Sequence, residues 1–455
     1  MLTYKNNLKL LMIFCIYAFG FLLYSHAISF AQQPSAEKLL KDLACGSCHS
    51  GINVESDILE KAPDLNQVGL RLTPDFIFSL LQLPTKLRQN IGFSRMPNFH
   101  LDEKELLAVT LFLQQQVPEG NELPNFPDQK IFEKAKSDYP DVDAKMGEKI
   151  IYSQNCVACH KLSSVVPWQK KNAPDLSFEG FRVKREWLAE FLTEQKPIRP
   201  FGFYPGSGSR HPDFRLSESE VATLTDYFVK QNGNFDFTSS SFEQKELTVF
   251  SMAKAQKILK DKFSCLGCHQ LGNDGGRIGP DLSSIKTRLQ PDFVYQFIRN
   301  PKSIMPETIM PKIEMPEKTL NLIVNYLLQQ EVPSSSPAYL SLIDNLPINL
   351  EGLDKNQSLY MNYCSSCHGA NGDGAGYNAR FLPATPTKHA DASHMTNRPD
   401  DTLFDVIYAG GYILNKSHRM PPWGSTLERK EIWQLVTFMR QLCQCQGPAW
   451  SRDNK

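Results

Sequence analysis

Eight of the eleven cysteines in this 455-residue chain lie in four pentapeptides of one form, Cys-x-x-Cys-His. Two thiols at this spacing can each form a thioether with a vinyl group on one edge of an iron porphyrin, and the histidine can then bind the iron. The motifs therefore predict four covalently bound haem c groups. Their residues are Cys45, Cys48 and His49; Cys156, Cys159 and His160; Cys265, Cys268 and His269; and Cys364, Cys367 and His368.

A single Cys-x-x-Cys could also be half of a zinc site or a redox-active dithiol. A zinc site would require the motifs to pair, because structural zinc takes four protein ligands. A dithiol oxidoreductase would require a thioredoxin-like βαβ pattern, and the sequence shows none. Haem attachment is therefore the favoured interpretation of all four motifs.

The sequence after each motif indicates a sixth iron ligand. The first three repeats share a Pro-Asp-Leu segment, then a helix-periodic segment, then a methionine or histidine before proline. The ligand candidates in this register are Met96, His211 and Met310, and the fourth repeat offers Met420. Because imidazole is a stronger donor to ferric iron than a thioether, His211 predicts a bis-histidine haem of lower potential in the second repeat.

Other residues could compete for these positions. The second iron could also stay open or water-bound, with His211 on the surface. The competing candidates are His100 in the first repeat, Met305 and Met315 in the third, and His389, His394, Met395 and His418 in the fourth.

Three further sets of residues could act around the haems. A backbone carbonyl in the Pro-Asp-Leu region could accept a hydrogen bond from the second ring nitrogen of the axial histidine. An arginine before a ligand could pair with a haem propionate or remain solvated. Cys443 and Cys445 are too close in sequence to favour a mutual disulfide, which leaves free thiols or a cross-link to a partner. The prolines are Pro63, Pro174, Pro280 and Pro383, and the arginines are Arg95, Arg210 and Arg419.

The sequence predicts an all-α fold of four tandem small helical domains, each wrapped around one covalent haem. Apolar residues spaced by four indicate helices after each Pro-Asp-Leu segment. Two capping boxes, Ser217 with Glu220 and Ser425 with Glu428, indicate later helix starts. Segments rich in proline, asparagine and serine separate the domains. The predicted domain ranges are 35–117, 141–231, 249–331 and 350–446.

The charge balance and the N-terminal sequence indicate the kind of partner and the compartment of the protein. The chain has 49 basic and 49 acidic residues, which argues against nucleic acid as a partner. Lys5 and Lys9 precede an apolar run over residues 10–24, and small residues precede Gln32. This pattern predicts a signal peptide at 1–31, and hence export to the periplasm. A retained membrane anchor is the alternative, although the run is shorter than the roughly 20 residues of a typical span.

With these motifs the chain resembles the class I cytochrome c family. The fourth repeat is the most similar, through residues 364–376 and the Met-Pro-Pro-Trp segment at 420–423. The first three repeats match through the pentapeptide, the Pro-Asp-Leu segment and the ligand before proline. His211 departs from the methionine of that family. The resemblance implies a cytochrome c-like fold and electron transfer in the bacterial periplasm.

The favoured function is a multihaem, tetrahaem electron carrier between a donor and an acceptor protein. Every repeat offers a sixth ligand, so no iron is predicted to be open to substrate. One alternative is a haem enzyme, such as a peroxidase or a thiosulfate- or nitrite-handling oxidoreductase, with a labile iron in the second repeat. Another is the cytochrome subunit of a respiratory complex, associated with a membrane.

Overall fold

The computed structural model describes residues 35–84, 95–166, 173–203, 207–233, 242–333, 337–344 and 352–451. The predicted signal peptide lies outside these residues. In the part described, the chain is mostly helical, as predicted, with one two-stranded hairpin as the exception. No helix in that part is both long and apolar enough to cross a membrane.

The first two repeats contain ten α-helices between them, counted over the described residues. Each haem-attachment motif begins in a 3₁₀ turn, Cys45–Ser47 or Cys156–Ala158. The helices of the first repeat and the connection after it are α1 (Ala36–Asp42), α2 (Ile58–Lys61), α3 (Val68–Arg71), α4 (Pro74–Gln82), α5 (Glu103–Gln114) and α6 (Lys130–Asp138). Those of the second repeat are α7 (Ala144–Ser153), α8 (Glu179–Arg182), α9 (Arg185–Thr193) and α10 (Glu218–Phe228).

In the third and fourth repeats the attachment motif lies in a short α-helix, and a hairpin follows the third motif. Strands β1 (Gln270–Leu271) and β2 (Asp274–Gly275) pair antiparallel. The helices of the third repeat are α11 (Val249–Asp261), α12 (Cys265–Cys268), α13 (Ile285–Arg288), α14 (Pro291–Arg299), α15 (Pro301–Ile304) and α16 (Glu317–Leu327). Those of the fourth are α17 (Lys355–Tyr363), α18 (Ser365–His368), α19 (Ala392–Met395), α20 (Asp400–Ala409) and α21 (Arg429–Cys443). Further 3₁₀ turns lie at Leu282–Ser284, Ala379–Phe381, Gly411–Leu414 and Ala449–Ser451.

Helix starts follow the local sequence. The capping box predicted from Ser217 and Glu220 is present at the start of α10. The box predicted from Ser425 and Glu428 is wrong, because Glu428 itself is the N-cap of α21 and pairs reciprocally with Glu431. A carboxylate can cap a helix as a hydroxyl does, since both accept a hydrogen bond from the backbone N–H groups of the first turn.

The first two repeats exchange their packing partners. Helix α1 of the first repeat packs on α10 of the second, and α7 of the second repeat packs on α5 of the first. At the second crossing Gly147 lies against the Ala108 carbonyl, and a Cβ at this position would be 2.9 Å from the Cβ of Phe112. The backbones of α5 and α7 therefore touch, which requires glycine on the side of α7.

The apolar core follows the same exchange. Leu39 and Leu40 of α1 are buried with Leu224 and Phe228 of the second repeat, in a cluster that continues into the third. A separate cluster joins residues of α7 to residues of α5. Because buried apolar area is the main stabilising contribution to folding, these clusters define which segments fold together.

Two packed units result, and they differ from one tandem domain per repeat. One contains residues 35–57 together with 173–233. The other contains residues 58–84 and 95–166, with the second attachment motif near its C-terminal end. The ranges 35–117 and 141–231 remain predictions of where the repeats begin and end, but neither of the first two repeats wraps around its own motif.

The two units join along a pseudo-twofold contact. Asn98 and Asp213 form an antiparallel bridge, with N–H to carbonyl distances of 2.8 Å and 2.7 Å. Each side chain then accepts a hydrogen bond from the backbone two residues further on, at His100 and Arg215, both of which have positive φ. Asparagine and aspartate favour such turns because their short side chains can hydrogen-bond to the nearby backbone.

The remaining repeats pack on this pair. Val183 in the second repeat forms an antiparallel bridge with Leu289 in the third. The imidazole of His418 in the fourth repeat donates through Nε2 to the Lys260 carbonyl in the third. Residues 337–344, which belong to a predicted linker, lie against the exchanged pair, where Tyr339 stacks on His100 at 4.6 Å.

Candidate functional site

The four attachment motifs carry partly buried thiols on short helical turns. Their eight cysteines are thiols, not disulfides. Burial raises the pKa of the Cys45, Cys156 and Cys364 thiols to about 12 and that of Cys265 to about 11. Catalytic dithiols have lowered pKa values instead. The motifs thus have the environment of sulfur buried against an apolar partner.

The axial histidines of the first two motifs are each oriented by the other repeat. His49 donates through Nδ1 to the carbonyl of Pro174, at 2.8 Å. His160 donates through Nδ1 to the carbonyl of Pro63, at 2.9 Å. The predicted carbonyl role of the two prolines is present, but the partners are crossed. Each bond leaves the opposite ring nitrogen, Nε2, available for a metal.

The third and fourth histidines are oriented within their own repeats. His269 donates through Nδ1 to the Pro280 carbonyl at 2.8 Å, as predicted. His368 donates to the carbonyl of Thr387 at 2.8 Å, so the prediction for Pro383 is wrong. The glycine-rich turn of the fourth repeat lengthens the path from the motif, which moves the accepting carbonyl four residues beyond the proline.

His211 lies beside the first motif, not the second. Its ring centroid is 6.2 Å from that of His49, with 42° between the ring planes. Phe191 and Phe214 contact the His211 ring edge-on, at 5.3 Å and 6.2 Å. Burial, together with the neighbouring His49, lowers the pKa of His211 to about 3. The imidazole is therefore neutral and suited to bind a metal.

The other ligand candidates occupy comparable places. Met310 and Met420 line the same cavity as His269 and His368. Met96 lies in the bridge segment before α5, where its carbonyl accepts a hydrogen bond from Arg215 at 3.1 Å. His100, the competing candidate, is stacked on Tyr339. Of the candidates in the fourth repeat, His389 stacks on His368 at 4.1 Å, and its Nδ1 lies 3.0 Å from the Tyr360 hydroxyl.

One continuous cavity joins three of the axial histidines. Its volume is about 2400 Å³, and its walls include the first, third and fourth axial histidines together with His211. Single small-molecule pockets occupy roughly 300–1,000 Å³. A cavity of this size, edged by buried thiols and imidazoles and otherwise mostly apolar, fits several flat, largely apolar macrocycles. The residues present therefore fit haem.

Two of the three arginines that precede ligand candidates form ion pairs with glutamates. Arg95 pairs with Glu220, and Arg210 pairs with Glu105, whose oxygens lie 2.7 Å and 3.2 Å from the guanidinium. Both glutamates belong to capping boxes of the opposite repeat. These carboxylates compensate the charges of Arg95 and Arg210, although Nε of Arg95 is buried without a hydrogen-bond partner among the described residues.

Arg419 remains available for a propionate. Its side chain is 7% exposed, and its Nη2 lies 3.3 Å from Asp274. Nε and Nη1 of Arg419 are buried without a hydrogen-bond partner among the described residues, as is Nε of Arg288. Both arginines line the cavity. Buried donors of this kind require an acceptor, which an acidic haem edge would provide.

The attachment motifs lie back to back in two pairs. Asn155, directly before the second motif, has its amide nitrogen 3.8 Å from the sulfur of Cys48 in the first. Asn378 donates to the Gly267 carbonyl in the third motif at 2.7 Å and lies 3.4 Å from the sulfur of Cys367 in the fourth. Neither asparagine was identified from the sequence, because their position beside another motif is a property of the packing alone.

The two C-terminal cysteines form a disulfide. Cys443 and Cys445 are bonded to each other, with their Cα atoms 5.1 Å apart. The expectation of free thiols or a cross-link to a partner is therefore wrong. A left-handed residue, Gln444 at φ 49°, lies between them and turns the chain back after α21.

One protein family matches part of the chain. The sequence profile described as cytochrome c oxidase, cbb3-type, subunit III matches residues 251–327 and 351–439, in the third and fourth repeats. The match supports a c-type cytochrome, that is, an electron carrier with covalently bound haem c. No curated protein and no solved structure shows significant similarity to the chain.

Proposed function

We propose that the chain is a periplasmic tetrahaem c-type cytochrome that carries electrons between a donor and an acceptor protein. The observation that carries the proposal is the recurrence of one local arrangement at all four motifs. In each, a partly buried pair of thiols adjoins a histidine whose Nδ1 is held by a backbone carbonyl. The family match supports this interpretation for the third and fourth motifs.

The protein residues divide the work of holding each haem. The two cysteines would attach the porphyrin, and the histidine together with a methionine or second histidine would hold the iron. Haem iron held in this way supplies a one-electron couple between ferric and ferrous states. His269 and Met310 serve the third site, His368 and Met420 the fourth, and Met96 and His211 complete the first two.

The paired motifs favour transfer within the chain. Asn155, directly before the second motif, lies 3.8 Å from the Cys48 sulfur of the first, and Asn378 joins the Gly267 carbonyl of the third motif to the Cys367 sulfur of the fourth. Attachment edges that lie this close keep two carriers at high effective concentration relative to each other. The arrangement therefore suits a conduit more than four independent carriers.

A role as an enzyme would require an open iron. The second repeat is the place that the sequence suggests, because it lacks methionine in the ligand register. His211 lies opposite His49 of the first motif, and Met96 is then the ligand candidate for the second, so each iron has a candidate sixth ligand. Six-coordinate iron passes electrons without binding a substrate, so the carrier is favoured.

The matching family gives a second candidate, the cytochrome subunit of a respiratory oxidase complex. Native electrophoresis of the periplasmic fraction and of solubilised membranes from the source cells, stained for haem, separates the two candidates. A band at the mass of the chain alone supports the free carrier, and a band at a larger mass that contains the chain supports the subunit.

Intact mass and redox titration test the proposal directly. The mature holoprotein should have the mass of the chain from residue 32 plus four haems. Replacement of both cysteines in any one motif by alanine should remove one haem. The ferric protein should show only low-spin bands. A colourless purified protein, or one without added covalent mass, would refute the proposal.

A further inference from the structure

We infer that the sixth ligands of the first two haems are exchanged between the repeats. His211 completes the iron site of Cys45, Cys48 and His49, and Met96 completes that of Cys156, Cys159 and His160. The inference rests on the proposed haem attachment and reverses the assignment that the sequence register suggests. The bis-histidine site is then the first in the chain, not the second.

The geometry of His49 and His211 supports the first half. An imidazole nitrogen lies about 2.0 Å from a bound first-row metal ion and a ring centroid about 1.2 Å behind it, so two rings on opposite sides of one ion have centroids about 6.4 Å apart. The observed separation of the rings is 6.2 Å. Rings on one axis can rotate about it, so the 42° between the planes is compatible with this arrangement.

The surroundings of each ring point the same way. His49 is held by the carbonyl of Pro174, and Ser50 donates to the carboxylate of Asp175 at 3.0 Å. The Leu176 N–H donates to the Ser50 carbonyl at 3.0 Å. The segment that follows the first motif therefore lies in the shell built by residues 173–233, and His211 belongs to that shell.

The second site has the mirrored arrangement. The Leu65 N–H donates to the Lys161 carbonyl at 2.9 Å, and the Ser163 N–H donates to the Asn66 side chain at 2.7 Å. The shell around His160 is thus built by residues of the first repeat. Met96 occupies the position in that shell that His211 occupies in the other, as the paired bridge of Asn98 and Asp213 shows.

A consequence is that unlike sites are neighbours. The first motif, with two imidazoles, lies back to back with the second, which has one imidazole and one thioether. Methionine ligation raises the haem potential relative to a second histidine. The pair therefore has a built-in difference of potential, with the lower value at the first motif.

A spectral label can assign each potential to a motif without removal of a haem. In a Cys45→Ala variant the first haem keeps one thioether and one unreacted vinyl group, which stays conjugated and shifts its absorption to longer wavelength. Cys156→Ala labels the second haem in the same way, and Cys265→Ala labels the third as a control. Each variant is titrated with and without His211→Met.

The expected result is specific to the exchange. The label of Cys45→Ala should follow the component of lowest potential, and His211→Met should raise the potential of that labelled component. The labels of Cys156→Ala and Cys265→Ala should follow higher components, which His211→Met leaves in place. Near-infrared spectra should show loss of the bis-histidine band in every His211→Met variant.

The opposite pattern overturns the inference. If His211→Met moves the label of Cys156→Ala and leaves that of Cys45→Ala, ligation follows the sequence register. If Cys45→Ala prevents attachment of the first haem, the haem count falls to three. Loss of the redox component of lowest potential then supports the exchange, and its retention contradicts the exchange. If the wild-type chain itself carries no covalent haem, the proposed function is refuted instead, so the two failures are distinguishable.

Discussion

The exchanged ion pairs offer a stability test that needs no assignment of haems. Glu105 of the first repeat pairs with Arg210 of the second, and Arg95 pairs with Glu220. In tandem domains that each close on themselves, the arginine and the capping glutamate of one repeat would be the neighbours instead. Double-mutant cycles with Glu105→Gln, Arg210→Met and Arg95→Met distinguish the two arrangements.

The expected magnitude follows from burial. The Glu105 carboxylate is 0% exposed and the Arg210 guanidinium 6%. The carboxylate also accepts hydrogen bonds from the backbone N–H groups of Asp102, at 3.0 Å, and Leu342. Removal of one partner leaves the other charge buried without compensation, which costs about 3–5 kcal/mol. Because loss of both partners costs little more than loss of one, the coupling free energy should approach the cost of one removal, about 3 kcal/mol or more.

Guanidinium chloride unfolding of the holoproteins, followed by far-ultraviolet circular dichroism, measures these free energies. The cycle of Glu105→Gln with Arg95→Met should be additive within about 0.5 kcal/mol, because those residues share no contact in the exchanged arrangement. Glu133→Gln, on the exposed face of α6, controls for loss of a surface carboxylate and should leave the midpoint unchanged. Additivity between Glu105 and Arg210, with coupling between Glu105 and Arg95, would refute the exchange.

Two further substitutions test individual contacts. Gly147→Ala should lower the free energy of unfolding by about 1–3 kcal/mol, because the new methyl group meets the backbone of α5. The control, Glu148→Ala on the exposed side of α7, should have no comparable effect. An increase in stability of Gly147→Ala, as helix propensity alone predicts, would contradict the crossing. Asn378→Leu should cost about 2–4 kcal/mol, because it leaves the Gly267 carbonyl and a second backbone group buried without partners, and exposed Asn371→Leu is its control. Equal midpoints for the two asparagine variants would show that the amide does not join the third and fourth motifs.

Much of the local structure could be predicted from the sequence. The helices that begin at Pro74 and Pro291 follow from apolar residues at helical spacing. The capping box of Ser217 is a two-residue signal that depends on nothing distant. The carbonyl of Pro280 lies where the motif spacing places it, because the intervening chain is short and folds back on itself.

The pairing of repeats could not be predicted in the same way. The first two repeats present the same residue types at the same positions, so α1 can complement α10 as well as α5. Both pairings satisfy the periodicity, and only the detailed fit decides between them. One difference between the repeats is informative: Gly147 of the second repeat corresponds to Ala36 of the first. A close helix crossing at this position is possible only for the repeat that has the glycine.

The fourth repeat shows a different limit. The carbonyl that accepts the hydrogen bond from His368 belongs to Thr387 and not, as expected, to Pro383. The glycine-rich turn changes the length of chain between the histidine and the carbonyl. Spacing from the motif predicts a contact only where the loop geometry is shared. The bond between Cys443 and Cys445 likewise depends on the left-handed turn at Gln444, which the sequence does not announce.

The unit of residues 58–84 and 95–166 determines the order in which the two shells can close. An exported chain enters the periplasm N-terminus first, and segments can fold only when their partners are present. When the second motif appears, the residues of the first repeat that surround it are already present. The first motif must wait for more than a hundred further residues, so the earliest attachment site to be synthesised is the later of the two to be enclosed.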